Sequence, residues 1–228
     1  MYRNEWKFCC PENMLSQLQI RLNSLMNLDK HSNSDGTYIV KSLYFDDIRN
    51  TCALDVQAGS SKRFKYRLRY YNNQPETLHL ELKKKIYGRC KKYKCPVSIE
   101  QYEKIMNGNI WDLFWETDDK ILKRFCIDMA SRGFSPRLIT EYKRTAYVEP
   151  VLNIRVTMDR CVSVSNDVNE FLTGNYKSFP VQRNNNQILE IKFDGLFPKF
   201  LHEIINMRCL FQTSFSKYYN GFRILTRM

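Results

Sequence analysis

Five stretches of this chain alternate side chains with a period of two, and in each the polar face carries charge. Phe64, Tyr66, Leu68 and Tyr70 oppose Lys65, Arg67, Arg69 and Tyr71; Leu78, Leu80 and Leu82 oppose His79, Glu81, Lys83 and Lys85. Arg3, Glu5 and Lys7 are set against Asn4, Trp6 and Phe8, and Asn153, Arg155, Thr157 and Asp159 against Leu152, Ile154, Val156 and Met158. Ile188, Glu190, Lys192 and Asp194 alternate with Leu189, Ile191 and Phe193. Period two places alternate side chains on opposite faces of a strand. The polar face of an antiparallel sheet ordinarily looks at water. Here each such face mixes Arg and Lys with an isolated acid, and the chain has enough amphipathic helix to cover the apolar faces from outside. That combination points to a sheet closed on itself with its charges within. A barrel of about eight strands leaves an interior wide enough for one small ligand.

Strands are expected over 3–8, 38–46, 64–71, 77–85, 138–148, 152–159 and 187–194. Helices are expected over 11–28, where Leu15, Leu18, Leu22 and Leu25 follow Pro11, over 98–107, over 117–132 and over about 196–207. Ser98 and Gln101 form a capping box at the second of these. Residues 29–37, 72–76 and 165–186 read as loops, the last, ending in Asn184-Asn185-Asn186, as a mobile flap. Trp111 and Trp115, with Leu113 and Phe114, are expected to pack between the helices at 98–107 and 117–132. With no repeat and no linker, residues 1–228 read as a single α+β domain: a mainly antiparallel closed β-barrel with helices packed outside.

The formal net charge of +12 is concentrated. Residues 62–94 hold twelve Lys and Arg against Glu76 and Glu81, which leaves the remainder nearly neutral. Such focusing suits a polyanion: nucleic acid, an anionic membrane or a chain of phosphates. Tyrosines among the basic residues (Tyr66, Tyr70, Tyr71, Tyr87, Tyr93) allow a nucleic-acid reading. Most of them fit the apolar strand face or a loop, so nucleic acid is not the expected partner. Neither a secretory leader nor a run of 18 apolar residues occurs, and the eight cysteines are scattered without a metal-binding spacing. A cytoplasmic protein with free thiols is expected.

Clustered cations in a partly desolvated interior repel one another and need a counter-charge. Arg67 and Arg69, two apart on one face, offer forked donors to phosphate, while Lys7, Lys83, Lys192 and Lys217 act as point charges. Glu5, Glu81 and Glu190 are out of place against bare phosphate. They fit around a divalent cation, because Mg²⁺ and Mn²⁺ take one or two carboxylates together with phosphate oxygens and water.

Eight segments in fixed order carry a resemblance: Tyr2-Arg-Asn-Glu-Trp-Lys-Phe8, Ser42-Leu-Tyr-Phe-Asp-Asp47, Lys65-Tyr-Arg-Leu-Arg-Tyr-Tyr71, Leu80-Glu-Leu-Lys-Lys-Lys85, Glu141-Tyr-Lys-Arg-Thr-Ala-Tyr147, Asn153-Ile-Arg-Val-Thr-Met-Asp159, Leu189-Glu-Ile-Lys-Phe193 and Ser214-Phe-Ser-Lys-Tyr218. Together they resemble the VTC domain, the polyphosphate polymerase module of the vacuolar transporter chaperone complex and its stand-alone bacterial relatives, within the triphosphate tunnel metalloenzyme (CYTH-like) superfamily. The resemblance implies a tunnel wall presenting Lys7, Arg67, Arg69, Lys83, Arg144, Arg155, Lys192 and Lys217 to phosphates, joined by Lys91 or Lys92, with Lys91 taken first. It implies Glu190 as the leading metal ligand, Glu5 and Glu81 as supporting acids, and Tyr142, Ser216 and Tyr44 as donors to phosphate oxygens. Lys217, Arg144, Lys192 and Glu190 would form the reacting centre. The implied activity uses Mn²⁺ or Mg²⁺ to extend polyphosphate with the γ-phosphoryl group of ATP, releasing ADP. Phosphoryl transfer requires positioning and charge neutralisation rather than a covalent nucleophile, so the absence of a Walker loop is no obstacle.

Arg3 stands where the wider superfamily's Glu-x-Glu-x-Lys motif has its first Glu, which weakens the case for hydrolysis by the usual tunnel-enzyme route. Two alternatives remain: a triphosphatase acting in the same tunnel, and a non-catalytic polyphosphate or inositol-phosphate sensor. The regulatory domain and membrane segments of the eukaryotic complexes have no counterpart in these residues. A separate membrane-protein partner, holding the protein at a membrane surface, is therefore a further expectation.

Overall fold

The computed structural model describes residues 3–182, 186–205 and 210–227. One sheet runs through it, of strands β1 (Asn4–Pro11), β2 (Asn27–Leu28), β3 (Thr37–Asp46), β4 (Lys62–Tyr71), β5 (Gln74–Ile86), β6 (Arg89–Pro96), β7 (Ser135–Glu149), β8 (Ile154–Ser165), β9 (Phe179–Pro180) and β10 (Asn186–Phe193). Eight of them follow in the order β1-β10-β8-β7-β3-β4-β5-β6, while β2 pairs with β7 and β9 with β8. Every pairing is antiparallel. Tight turns join β4, β5 and β6. Asn72 and Asn73 both take positive φ, as do Tyr87 and Gly88, which is the backbone that two-residue hairpins require.

Helices α1 (Glu12–Asn23), α2 (Thr51–Gln57), α3 (Ile99–Asn107), α4 (Ile110–Glu116), α5 (Lys120–Arg132), α6 (Lys199–Ile204) and α7 (Lys217–Leu225) cover the apolar side of the sheet. Leu15, Leu18 and Leu22 of α1 join one core with Phe8, Val156, Met158, Leu189 and Ile191. Residues of α2, α3, α4, α5 and α7 join another with Leu43, Phe45, Tyr66, Leu68, Tyr70, Leu78, Leu80 and Leu82. The expected capping box is present: Gln101 N–H donates to Ser98 Oγ at 3.1 Å, and Ser98 N–H to Gln101 Oε1 at 3.0 Å.

Among the described residues the sheet is not closed by a continuous hydrogen-bonded ladder into the barrel expected from the sequence. Its edge strands β1 and β6 meet at one bridge, where Arg3 and Cys90 exchange backbone hydrogen bonds of 3.3 and 3.4 Å. Beyond it β1 is already occupied: Thr213 N–H donates to Lys7 O at 2.8 Å, and Gln212 bridges Phe8. With Arg3 opposite Cys90 in antiparallel register, β6 runs on past the start of β1, and the segment leading to α7 lies along the β1 edge farther on, at Lys7 and Phe8.

Other expectations change as well. Helix α1 stops at Asn23, so Leu25 is exposed and Asn27–Leu28 joins the sheet. α4 turns Ile110 and Leu113 inward and leaves Trp111 and Trp115 57% and 77% exposed, so the tryptophans are not the packing cluster expected of them. The flap is docked as far as residue 182. Phe171 is fully buried, its carbonyl accepts from Tyr70 Oη at 2.7 Å, and Tyr176 Oη donates to Glu141 Oε2 at 2.6 Å. Asn184 and Asn185, and residues 206–207 of the last expected helix, lie outside the described residues. Strand β6 and helices α2 and α7 were not anticipated. Among the described residues no helix is long and apolar enough to cross a membrane, and the described cysteines are free thiols.

Candidate active site: a cationic cavity inside the sheet

With the apolar faces turned outward, the charged faces enclose a cavity of about 550 Å³. Ten cationic side chains line it (Lys7, Arg63, Lys65, Arg67, Arg69, Lys83, Lys85, Arg144, Lys192 and Lys217) against two carboxylates, Glu5 and Glu190. Tyr44, Tyr142 and Ser216 share the wall, as does the segment from Gln212 to Phe215.

The two carboxylates sit on neighbouring strands, diagonally across the β1–β10 pairing. Glu5 holds Lys7 at 3.0 Å and Lys83 at 2.7 Å; Glu190 holds Lys192 at 2.8 Å. Burial alone would raise Glu5, but Lys7, Lys83 and Lys192 keep it well below the usual carboxylate range. Burial and the neighbouring Glu5 both push Glu190 up, and Lys192, Lys7 and Lys83 bring it down to about 2. Both acids are therefore ionised at neutral pH. Lys192, half-buried and facing Lys83 and Arg144 as well as its two acids, is lowered to about 8 by desolvation.

These donors suit a divalent ion held by two carboxylates and completed by phosphate oxygens and water. Three ammonium groups surround the pair, so an ion arriving alone would meet net repulsion, whereas one arriving with a phosphate chain brings its own counter-charge. Among the described residues no group of three or more His, Cys, Asp or Glu converges as a self-sufficient metal cage.

A second layer fixes the cations. Asp159, fully buried, receives Arg144 through Nε at 2.6 Å and Nη2 at 2.8 Å, and also Lys217. Burial would raise its carboxyl, yet Arg144 and Lys217 hold it far below the ordinary range. Arg69 donates to Ser42 Oγ at 2.9 Å and Tyr142 Oη at 3.1 Å. Lys217 lies at the start of α7, whose N-cap Ser216 accepts from Tyr219 N–H at 3.3 Å. That helix is anchored from the other side by Asp46, which accepts from Tyr218 Oη at 2.6 Å and from the Cys52 and Ala53 amides of α2. Gly221 allows α7 to approach β8, because a Cβ there would lie 2.8 Å from Val164 Cγ2. Tyr44, packed between Arg67, Lys65 and the ring of Tyr218, would be raised by burial. Arg67, Lys65 and Arg69 instead bring it down to about 6.

Twelve residues named from the sequence thus line one cavity: Glu5, Lys7, Tyr44, Arg67, Arg69, Lys83, Tyr142, Arg144, Glu190, Lys192, Ser216 and Lys217. Three others do not. Glu81, expected as a metal-supporting acid, is fully buried and saturated by Arg67 (2.7 Å), Lys92 (2.9 Å) and His79 (3.2 Å). Arg155 turns to Asp29 at 2.6 Å and Tyr38 Oη at 2.9 Å. Lys91 lies opposite Lys84 on the outward face, over the ring of Tyr93, whereas Lys92 faces inward but is held by Glu81 outside the cavity wall. His79, on the same polar face as Glu81, is enclosed between Thr77 O and Glu81. Sequence reasoning passed over Asp159 and the lining residues Arg63, Lys65 and Lys85. All but Arg63 stand on the alternating polar faces, so the periodicity contained them; choosing them required knowing which strands are neighbours.

The sequence model of the VTC domain family matches residues 2–226. Among solved structures, the Hippeastrum protein HpAC1, a proposed adenylyl cyclase with a dominant triphosphatase activity, is similar at 13% identity with TM-score 0.58, over 98% of this chain and 96% of that one. A proposed adenylate cyclase from Bacillus halodurans matches at 12% identity with TM-score 0.52, over 95% and 96% of the two chains. The PH1819 protein from Pyrococcus horikoshii OT3 matches at 11% identity with TM-score 0.50, over the whole of both. At such identities these structures share the fold alone. No curated protein sequence matches the chain.

Proposed function

This chain belongs to the VTC domain family, and from that premise we propose that it is a divalent-metal-dependent phosphotransferase that lengthens polyphosphate with the γ-phosphoryl group of ATP. The observation that carries the reading is the composition of the cavity wall: ten cations and two ionised carboxylates around about 550 Å³. Neutral substrates have no use for such a wall, and an isolated carboxylate or monophosphate would leave most of its excess positive charge unneutralised.

In the proposed reaction the bond between the γ-phosphorus and the oxygen bridging to the β-phosphate breaks, and a bond forms to a terminal oxygen of the polyphosphate chain. ADP leaves with the electron pair. The attacking oxygen is already anionic, so no general base is required. Arg67 and Arg69 supply forked donors to non-bridging oxygens, Arg144, Lys192 and Lys217 neutralise charge as it shifts between leaving and attacking oxygens, and Tyr142 and Ser216 add neutral donors. A divalent cation held by Glu190 and Glu5 would neutralise and orient phosphate oxygens. Asp159 positions Arg144 and Lys217 together and so sets one side of the site relative to the other. A continuous tunnel through the sheet would let the product lengthen without dissociating.

The test is to incubate the purified protein with ATP and Mn²⁺ or Mg²⁺, resolve polyphosphate on a gel, and assay ADP and free phosphate in parallel. A ladder with ADP is the expected result. Free phosphate without a ladder would replace this reading with a triphosphatase, the activity of the Hippeastrum fold neighbour. Tight triphosphate binding without turnover would indicate a sensor.

A further inference from the structure

The cations of the cavity fall into two groups according to whether a carboxylate holds them. Along the inward face of the β4–β5 pair the cross-strand rungs are Arg69–His79, Arg67–Glu81, Lys65–Lys83 and Arg63–Lys85. Successive rungs on one face are about 6.8 Å apart. At the inner end Glu81 receives Arg67, and Arg69 lies within 3.9 Å of it; at the third rung Lys83 is held by Glu5. Lys7, Lys192, Arg144 and Lys217 each have an acid too. Among the described residues, Arg63, Lys65 and Lys85 line the cavity without a carboxylate within salt-bridge distance.

Like charges directly opposite each other across a strand pair are destabilising, and here two such rungs follow in succession. The Arg63–Lys85 rung lies nearest the exposed Tyr87–Gly88 hairpin tip, at the rim of the cavity. Arg63 is oriented there by a 2.6 Å hydrogen bond to Ser60 O rather than by an acid. Burial and Arg63 lower Lys85; burial, Lys83, Arg67 and Lys7, opposed by Tyr44, lower Lys65 to about 8. Both lysines thus carry an unfavourable charge that a bound anion would relieve. The Arg63–Lys85 rung stands one rung, about 6.8 Å, beyond the Lys65–Lys83 rung at which Glu5 engages Lys83.

We propose that the Arg63–Lys85 rung, with Lys65, is a distinct phosphate subsite at the cavity rim, which holds the part of a linear phosphate chain lying outside the transfer centre. The inference rests on the polyphosphate reading and adds a division of labour to it. Carboxylate-tethered cations hold the reacting phosphates, and untethered cations hold the chain that extends past them. Such a subsite favours long chains over short ones, since only a long chain reaches both groups.

Calorimetric titration with tripolyphosphate and with long-chain polyphosphate, at one fixed ionic strength, tests it on the wild type and on Arg63→Ala/Lys85→Ala. The expected result is that affinity for the long chain falls at least about tenfold more than affinity for tripolyphosphate, which corresponds to one lost charge-assisted contact or more. The swap Arg63→Lys/Lys85→Arg, which keeps the charge, should restore the preference. Lys85→Gln alone keeps the test available if the double variant does not fold. Equal losses for the two ligands, or none for either, would overturn the subsite while leaving the polyphosphate reading intact. A wild type that binds neither ligand would remove both.

Discussion

Two strands of this protein carry almost the same words, Leu80-Glu81-Leu82-Lys83 and Leu189-Glu190-Ile191-Lys192, and use them differently. Each puts its Glu and Lys on the inward face and its apolar residues in an outer core. Glu190 lies across from Lys7 on one side and Thr157 on the other, and it faces the cavity beside Glu5. Glu81 lies across from Arg67 and Lys94, and its oxygens are taken by Arg67, His79 and Lys92. One acid remains available to a ligand; the other locks the arginines of the wall. The cross-strand neighbours, not the motif, decide which. An arginine opposite a carboxylate can engage it with its fork and close it off, whereas a lysine and a threonine leave it room.

Removing the charge should separate the two acids cleanly. Glu81→Gln leaves the buried guanidinium of Arg67 without its counter-charge, which costs about 3–5 kcal/mol and should appear as a large fall in the urea midpoint. Burial would raise Glu81, but Arg67 and Arg69, then His79 and Lys92, hold it well below the normal range. Its contribution is therefore complete above the unfolded-state value of about 4.3 and is lost as the pH falls towards the lowered folded value. The gap between wild type and Glu81→Gln should close in acid. A variant as stable as the wild type at neutral pH would mean that Glu81 is not an anchor.

Glu190→Gln should act chiefly on turnover. Loss of the attraction to Lys192, Lys7 and Lys83 is only partly offset by relief of the repulsion from Glu5, so the unfolding midpoint should fall, but by less than in Glu81→Gln. Metal-dependent turnover should fall on the order of a hundredfold, as expected when a group stabilising transferred charge is removed. Parallel measurements of ADP release and thermal unfolding check this. Unchanged turnover would take Glu190 out of the metal site.

The same contrast explains what could be read before the fold was known. Period two on five strands fixed which side chains share a face, and the outward helices with the inward charge followed from it. Most of the cavity wall was therefore legible from spacing and from the family resemblance together. What spacing omits is the neighbour across the ladder. Glu81 and Glu190 were indistinguishable, Arg155 gave no sign of its pairing with Asp29, over a hundred positions away in sequence, and Lys91 could not be told from Lys92 without the β5–β6 register. The covered edge of β1 was hidden for a related reason. Gln212 and Thr213 take the edge of β1 through backbone atoms, which leave no trace in side-chain pattern. Helix α7 had a start marker in Ser216 and an apolar run in Tyr218, Phe222 and Leu225, but only nine residues in which to show it.

The smallest expected effect uses the lysines of the two motifs. Burial would lower Lys83, but Glu5 outweighs it and the pKa is raised above its ordinary value. Lys192 is lowered to about 8: burial dominates, Glu190 and Glu5 oppose it, and Lys83 and Arg144 add to it. As the pH rises through 8 in the absence of ligand, Lys192 loses its proton and Lys83 keeps its own. A phosphate chain prefers both charged, so its affinity should fall with increasing pH from about 8 rather than from the usual lysine range, and binding above pH 8 should take up protons. Lys65, also lowered to about 8, contributes to the same fall. Lys192→Met should therefore flatten part of the pH dependence of tripolyphosphate binding, by a few-fold between pH 7 and 9, while Lys83→Met weakens binding but leaves the slope in place. Titrations at several pH values in buffers of different ionisation enthalpy would measure affinity and proton uptake together. Equal slopes in the two variants would show that the two Glu-x-Lys strands differ in their acids alone.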